Sequence, residues 1–294
     1  VGEAIMSLVE PVIRPPSEAY SFLLQVTLGC SQNNCTFCGA YLNKPFKPKS
    51  LIEIKKDIAF GSQLYPETKR VFLCDGDALV LNNEKLLPIL KDLNNSFPKL
   101  SRIASYANAQ NILNKTPDEL KELYEHKLKL LFIGLESGDN KVLKRMNKSA
   151  TAEQMVEAVQ KAQAVGIKVH VIVLLGLGEA SGSKEHALAT ARIVNQMQPR
   201  YLSALSLMLI PGTPLHTDYR NKKFKELTPQ ELIQETIWLI ENLELEHTIF
   251  SCNHTSNYVP LDGRLPHDKE TLLKTLHAAQ TGQIGLKPEF FRGL

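Results

Sequence analysis

Three cysteines stand close together in the run Leu28-Gly-Cys30-Ser-Gln-Asn-Asn-Cys35-Thr-Phe-Cys38-Gly, a C-x4-C-x2-C spacing. On a segment this short, three thiolates can converge on one metal centre. A structural zinc site would need a fourth Cys or His, because such sites are closed and four-coordinate. None lies nearby in sequence, and Tyr41 is a poor ligand. A [4Fe–4S] cluster held by three cysteines keeps one coordination position for an external ligand, although four protein thiolates are the usual count. A zinc site completed from a distance by His170 or His254 stays open as the alternative. Disulfide frameworks spread their cysteines and metal sites cluster them. The odd total of five therefore reads as three ligands plus two single thiols, Cys74 and Cys252.

The elements that must position these residues follow from hydrophobic patterning. Six near-continuous apolar runs, residues 22–28, 70–74, 102–106, 129–135, 168–175 and 201–209, are predicted strands of a buried parallel sheet. Between them, Ser50 with Glu53, Thr116 with Pro117 and Glu119, Thr151 with Gln154, and Thr228 with Pro229 and Glu231 fit helix N-caps with an acid or amide three residues on. After Thr228, the residues Leu232, Ile233, Thr236, Ile237, Ile240 and Leu243 recur at helical spacing and form one apolar stripe. Strand starts about 27 to 48 residues apart suit repeated right-handed βαβ crossovers. An open doubly wound sheet and a full or partial barrel both satisfy that order. A barrel gathers every strand's C-terminal end into one mouth, and residues able to do chemistry follow almost every strand. They are the cysteine run, then Asp75 to Asp77, Asn108, Glu136 with Ser137, Gly176 to Glu179, and Pro211 to Pro214. That distribution favours the barrel.

Composition bounds the rest. A chain of 294 residues buries a core without disulfide staples. With 34 basic against 31 acidic side chains the net charge is +3, which fits neither a disordered tail nor a strongly basic nucleic-acid binder. Residues 1–10 carry two acids, no basic start and no long apolar core, so no secretory signal is expected. The apolar stretches 169–177 and 202–210 fall far short of the roughly 18 to 20 residues of a membrane span. A cytoplasmic protein without membrane association is the expectation. Residues 11–17, with three prolines, read as an extended arm, and the tail after Thr281 as a surface segment.

The three-cysteine loop after the first strand, with Phe37 just before its last cysteine, resembles the signature of the radical S-adenosylmethionine (radical SAM) superfamily. The usual spacing there is C-x3-C-x2-C, one residue shorter. Three further matches fall in the right order. Cys74-Asp75-Gly76-Asp77 stands where the family's Gly-Gly-Glu motif follows strand two, Gly134-Leu-Glu136-Ser137-Gly138 follows strand four, and Leu174-x-Gly176-x-x-Glu179 fits Gly-x-Ile-x-Gly-x-x-Glu without its first glycine. The resemblance covers about residues 22–215. It implies an α/β fold, a partial (β/α)6 TIM-type barrel of parallel strands with outer helices and a short C-terminal extension. The implied division is an arm over 1–21, a core barrel over 22–215 and a helical extension over 216–294 completing the mouth. The implied cofactors are a [4Fe–4S] cluster on Cys30, Cys35 and Cys38 and SAM chelated at the cluster's unique iron. One electron then cleaves the sulfonium to methionine and a 5′-deoxyadenosyl radical, which takes a hydrogen atom from a substrate. Residue by residue, Gly76 and Asp77 would meet the SAM amino group, with Asp77 in the place of the family's Glu. Glu136 and Ser137 would serve the ribose, while Phe37, Gly176 and the Ile210-Pro211-Gly212 turn would serve the adenine. Each has a plainer rival: Gly76 and Gly176 as turn glycines, Asp77 as a cap for a helix near residues 79–90, Glu136 as a solvated loop carboxylate.

The finer motifs Leu143-Lys-Arg-Met-Asn-Lys148 and Pro211-Gly-Thr-Pro-Leu215 resemble the class holding oxygen-independent coproporphyrinogen oxidase, the Elongator catalytic subunit and the cores of cobalamin-dependent enzymes. The Arg14-Pro-Pro-Ser-Glu-Ala19 arm, Ser105-Tyr-Ala-Asn108 and the stretch from Ser251 to Tyr258 resemble those of small uncharacterised members of that class, and this likeness fixes no substrate. A second cysteine cluster is absent from the sequence, which argues against sulfur insertion and methylthiolation. Cys74 and Cys252 are candidate hydrogen-atom donors to a substrate radical, or else small buried hydrophobes. Tyr106 and Asn108 after strand three, and Asn253, His254, Asn257 and Tyr258 after a seventh candidate strand at 247–250, are candidate substrate contacts, with a hydrogen-bonded surface turn as the rival for the latter group. Lys44, Lys47 and Lys49 form the densest basic patch, suited to phosphate or to a reductant's acidic surface. The expected partners are a small-molecule or peptide substrate and an electron donor such as flavodoxin or ferredoxin, with no membrane and no nucleic acid. A non-catalytic cluster or haem carrier on the same scaffold, and a zinc-stabilised binding protein, are the competing functions.

Overall fold

All four helix starts form as their residue types dictate. Ser50, Thr116 and Thr228 each accept the backbone N–H three residues on while the Glu there reaches back, a capping box that satisfies two otherwise orphaned donors. Thr151 and Gln154 exchange the same pair of bonds. The computed structural model describes residues 6–293, so the readings placed on residues 1–5 and on Leu294 lie outside the described residues.

Eight strands follow one another in the sheet in chain order: β1 (Phe22–Gln25), β2 (Arg70–Cys74), β3 (Arg102–Ala107), β4 (Leu128–Glu136), β5 (Lys168–Leu175), β6 (Tyr201–Ser206), β7 (Thr248–Ser251) and β8 (Asp262–Leu265). The pairs β1–β2, β2–β3, β3–β4, β5–β6 and β6–β7 run parallel, and β8 returns antiparallel to β7. The fold is α/β, of the partial TIM-barrel type. Contacts divide the chain into two compact units. The first holds the chain up to Asn33, Ala40–Ile133 and Gln160–Val169, and the second holds Asn34–Gly39, Gly134–Val159 and the chain from His170. In the first, Leu24, Val71, Phe72, Leu73, Ile103 and Ala104 are wholly buried strand residues, and Phe72 meets Tyr106 and Phe132 edge to face at 5.2 and 5.7 Å. In the second, the helices Glu179–Met197 and Pro229–Glu241 pack together, the latter burying Leu232, Ile233, Thr236, Ile237 and Ile240 as its stripe predicts.

Four expectations are corrected. The first strand stops at Gln25, because Thr27–Leu28 changes partner and pairs antiparallel with Lys47–Pro48. The sixth stops at Ser206, whose N–H donates to the Asn257 side chain at 2.8 Å instead of extending the ladder. The helix placed near 79–90 is Asn83–Ser96, capped by Asn82 and not by Asp77. The patch Lys44, Lys47, Lys49 does not exist as a charged surface. Lys44 is buried against Asp75, and Lys49 against Asp57, both at 2.6 Å, and only Lys47 is exposed. The seventh strand forms as β7, whereas β8, with the sequence Asp-Gly-Arg-Leu, has little strand propensity and was not foreseen. Among the described residues no helix is long and apolar enough to cross a membrane.

Candidate cofactor site

In the first unit the site is built on the loops leaving β1 and β2. Gly29 adopts φ +68°, and a Cβ there would stand 2.5 Å from the Lys44 carbonyl oxygen, so the turn into Cys30 requires glycine. Its N–H donates to Asp75 Oδ2 at 3.0 Å. The same carboxylate receives the Gln25 amide, and Lys44 Nζ reaches its Oδ2 while also donating to the Val9 and Pro11 carbonyls at 2.6 and 2.8 Å. The proline arm is thereby fastened to the base of the cysteine loop. At the next residue, a Cβ on Gly76 would lie 2.5 Å from Cys30 Cβ and 2.9 Å from its Sγ. The missing side chain is the space in which the partly exposed Cys30 sits.

Asp77 is completely buried, and its two oxygens differ. Oδ2 accepts from Ser31 Oγ, from Asn108 Nδ2 at 2.6 Å and from Asn111 Nδ2 at 2.5 Å. Oδ1 is buried and has no hydrogen-bond partner among the described residues. Buried polar atoms are almost always paired, so a carboxylate oxygen left without a side-chain donor is able to accept from a bound ligand. Burial pushes the Asp77 carboxyl above the usual range, and the bonds from Ser31, Asn111, the Val80 backbone and Asn108 oppose that shift. Asn108 also caps the short helix Ala109–Leu113. Tyr106 lies in the aromatic cluster with Phe72 and Phe132, and burial raises its phenol. Cys74 is fully buried at the end of β2, its thiol pushed up to about 12 by burial and by the Asp75 charge.

In the second unit, residues 34–39 of the cysteine loop are stitched down by backbone bonds. Thr36 N–H donates to the Met146 carbonyl at 3.0 Å, Leu215 N–H to the Thr36 carbonyl at 2.9 Å, and Asn147 Nδ2 to the Asn34 carbonyl at 2.9 Å. Cys35 and Cys38 are partly exposed, with Cys38 N–H donating to the Cys35 carbonyl at 3.2 Å. Burial raises the Cys35 thiol, the Lys148 ammonium opposes it, and Glu136 and Cys38 add to the rise. Glu136 is ion-paired with Lys148 at 3.3 Å. Ser137 is buried and accepts the Asp139 N–H at 3.0 Å.

The three adenine candidates come together here. Phe37 packs on the cluster of Met146, Leu177, Leu207, Leu215 and Phe224. A Cβ on Gly176 would be 3.5 Å from Leu207 Cβ, and one on Gly39 would be 2.4 Å from Ile210 Cγ2. Pro211 is exposed beside Ile210. Beneath these loops runs a buried polar seam that sequence reading missed. Glu235 accepts the Gly176 N–H at 2.7 Å, the Ser183 hydroxyl and a contact from His186 Nδ1 at 3.2 Å, while Thr190 Oγ1 accepts the Gly138 N–H at 2.9 Å. His186 Nε2 is buried with no partner among the described residues.

The side chains of the late polar run hydrogen-bond within the protein. Asn257 is buried, accepting from Ser206 and donating to the Ala204 and Cys252 carbonyls, both at 2.9 Å. Asn253 bridges Ser251 and Asp262, His254 bonds Ser256 at 2.9 Å, and Tyr258 is held by Glu289 and by Arg292, whose guanidinium lies 4.1 Å from the ring centroid. Arg292 also donates to the Ser256 carbonyl at 2.7 Å, so the tail is tied to this turn at Arg292. Cys252 is buried with its thiol pushed up to about 12 by burial.

Among the described residues no three His, Cys, Asp or Glu side chains converge on a point fit for a single metal ion. In the first unit the partly exposed Cys30 thiol, the cradle at Gly76 and Oδ1 of Asp77 have the chemistry of a cluster ligand and of an acceptor for an ammonium group, and in the second Cys35 and Cys38 are two further partly exposed thiols.

The family description "Radical SAM superfamily" matches residues 24–190, more than half of the chain. The chain belongs to the radical SAM superfamily. The family's cofactors are a [4Fe–4S] cluster and SAM. Among curated relatives, the probable threonylcarbamoyladenosine tRNA methylthiotransferase of Pyrococcus horikoshii is 25% identical over 241 residues, covering 79% of this chain and 53% of the relative. The chain thus spans about half the length of that relative. Among solved structures, coproporphyrinogen III oxidase (HemN) from Escherichia coli superposes with a TM-score of 0.54 at 18% identity, over 76% of this chain and 52% of that one. Archaeal Elp3 from Methanocaldococcus infernus gives 0.55 at 14% identity, over 90% and 64%. Both share the fold of this radical SAM chain.

Asp77→Asn tests the empty oxygen. An amide can satisfy Ser31, Asn108 and Asn111 only by turning its NH2 to where Oδ1 now waits, putting a donor in place of an acceptor. Loss of a hydrogen bond to a charged group is worth about 1.5–3 kcal/mol, so SAM affinity measured by anaerobic titration should fall about ten- to hundredfold. Unchanged affinity would remove Asp77 from the site.

Proposed function

We propose that the chain is a radical SAM enzyme acting on a small-molecule or peptide substrate. The observation that carries this reading is the Asp77 carboxylate, buried and half-satisfied, one residue after the glycine that makes room for Cys30. Cys30, Cys35 and Cys38 would hold the cluster. When bound, cluster and SAM supply radical chemistry: one-electron cleavage of the SAM sulfonium and abstraction of a hydrogen atom from the substrate. Asp77 would accept from the SAM ammonium through Oδ1, kept in orientation by the three donors on Oδ2. Glu136 and Ser137 would serve the ribose, and Phe37, Gly176, Ile210 and Pro211 the adenine, with Phe37 and Ile210 supplying apolar surface that excludes water. In domain terms we read residues 22–215 as the catalytic core, with 1–21 as its arm and 216–294 as its extension.

Cys74 and Cys252 both keep their S–H at neutral pH, since burial holds each thiol near 12, and a hydrogen-atom donor needs that bond intact. Cys74→Ala and Cys252→Ala should leave SAM cleavage unchanged, and the variant lacking the donor should stop product formation once a substrate is in hand. Full turnover by both variants would dispose of the donor role. Tyr106 and Asn108 stand as substrate-side candidates, Asn108 also as an orienting group for Asp77.

Anaerobic reconstitution followed by reduction with SAM present tests the whole reading. The expected result is iron and sulfide bound with 5′-deoxyadenosine formed. Iron and sulfide without 5′-deoxyadenosine would mark a cluster carrier, and zinc without visible absorbance a binding protein.

A further inference from the structure

The cations that meet in space are not the three near residue 47. Arg145 ends the helix Asn140–Arg145, lays its guanidinium 5.3 Å from the centroid of the Phe224 ring and donates Nη2 to the Lys223 carbonyl at 2.7 Å. That contact joins two basic runs, Lys141, Lys144 and Arg145 on one side and Arg220, Lys222, Lys223 and Lys225 on the other, all with exposed side chains. Arg145 is paired with Glu179. Among the described residues the other six make no ion pair. Glu179, Asp218 and Glu226 are the acids beside the two runs, so seven cations against three acids leave the band at +4, although the whole chain carries only +3.

Residues flanking the two runs hold the cysteine loop. Met146 and Asn147, directly after Arg145, bond to Thr36 and Asn34, and Leu215, in the helix Pro214–Arg220, bonds to Thr36. The surface is therefore one hydrogen bond from the segment carrying Cys35.

We propose that this band is the docking face for an acidic one-electron carrier protein of the flavodoxin class. The inference rests on the reading of Cys35 and Cys38 as cluster ligands. The carrier gives up one electron, the cluster gains it, and no atom is transferred. Opposite charge steers such encounters and raises their rate, most strongly at low salt, and the short path to the loop favours transfer from a partner seated there.

The test compares two reductants on the reconstituted full chain, reading 5′-deoxyadenosine. The variants are Lys222→Glu with Lys223→Glu, Lys141→Glu with Lys144→Glu, and, as a control, Lys274→Glu on the helix Lys269–Gln280. With dithionite, all should match the unaltered chain. With reduced flavodoxin, both paired variants should lose about tenfold or more in apparent second-order rate, together with the salt dependence that the unaltered chain and the control retain. Equal flavodoxin rates in all proteins would overturn the proposal. So would loss of tRNA binding in the paired variants with flavodoxin rates intact, which would make the band a nucleic-acid face. No 5′-deoxyadenosine from the unaltered chain with dithionite would instead overturn the catalytic reading on which the proposal stands.

Discussion

Cys38→Ala should abolish iron and sulfide retention on anaerobic reconstitution, and with it all SAM cleavage, while leaving the metal-free protein as stable as before. The two halves of this expectation come from different atoms. Residues 34–39 are held by main-chain bonds to Met146 and Leu215, by the Asn147 amide, and by Phe37 on its apolar cluster. The partly exposed Cys38 thiol is no part of the buried core. Its removal takes nothing from that core, so the cost should stay at or below about 1 kcal/mol, the centre of single-substitution effects. A cluster on three thiolates has no spare ligand, so two cannot hold it. Cys30→Ala and Cys35→Ala should behave alike. Iron content, visible absorbance and 5′-deoxyadenosine report the first half, and thermal unfolding of the apo protein the second. Wild-type iron binding in Cys38→Ala would remove it from the ligand set.

Lys44→Met should have the largest effect on stability, about 3–5 kcal/mol, the usual cost of breaking a buried ion pair by deleting one partner. Lys44 and Asp75 have 5% and 0% of their side chains exposed, and the pair is surrounded by Gln25, Gly29 and the carbonyls of Val9 and Pro11. Deletion of the ammonium leaves the Asp75 charge with amide donors alone and strands two carbonyl oxygens. A midpoint shift in urea measures the loss. The double variant Lys44→Met, Asp75→Leu should recover part of it, because it removes the uncompensated charge. A single variant as stable as the parent would show that the pair contributes nothing.

The parts of this fold that were legible in sequence are those where local chemistry decides. Ser50, Thr116, Thr151 and Thr228 begin helices because a hydroxyl and a reaching Glu or Gln are enough by themselves. The cysteine run, Gly76 and Asp77 could be found because they are adjacent in the chain. The partners of Asp77 could not: Ser31, Asn108 and Asn111 come from two other loops, and nothing in their spacing announces a shared acceptor. Lys44 read as surface charge because its acid lies 31 residues away at Asp75. One signal was present and unused. Glu235 interrupts the apolar stripe between Leu232 and Thr236, where a carboxylate is tolerated only if the fold brings it donors.

That carboxylate, with Ser183, His186 and Thr190 on the helix Glu179–Met197, gives the loops at Gly138 and Gly176 a common mount. Gly138 is fixed to that helix through Thr190, and Gly176 to the helix Pro229–Glu241 through Glu235, which Ser183 and His186 tie back to the first, so a tilt of either helix is felt at both loops. Their spacing is in effect machined into a single part, so variation in this chain should alter the two loops in concert or leave both alone.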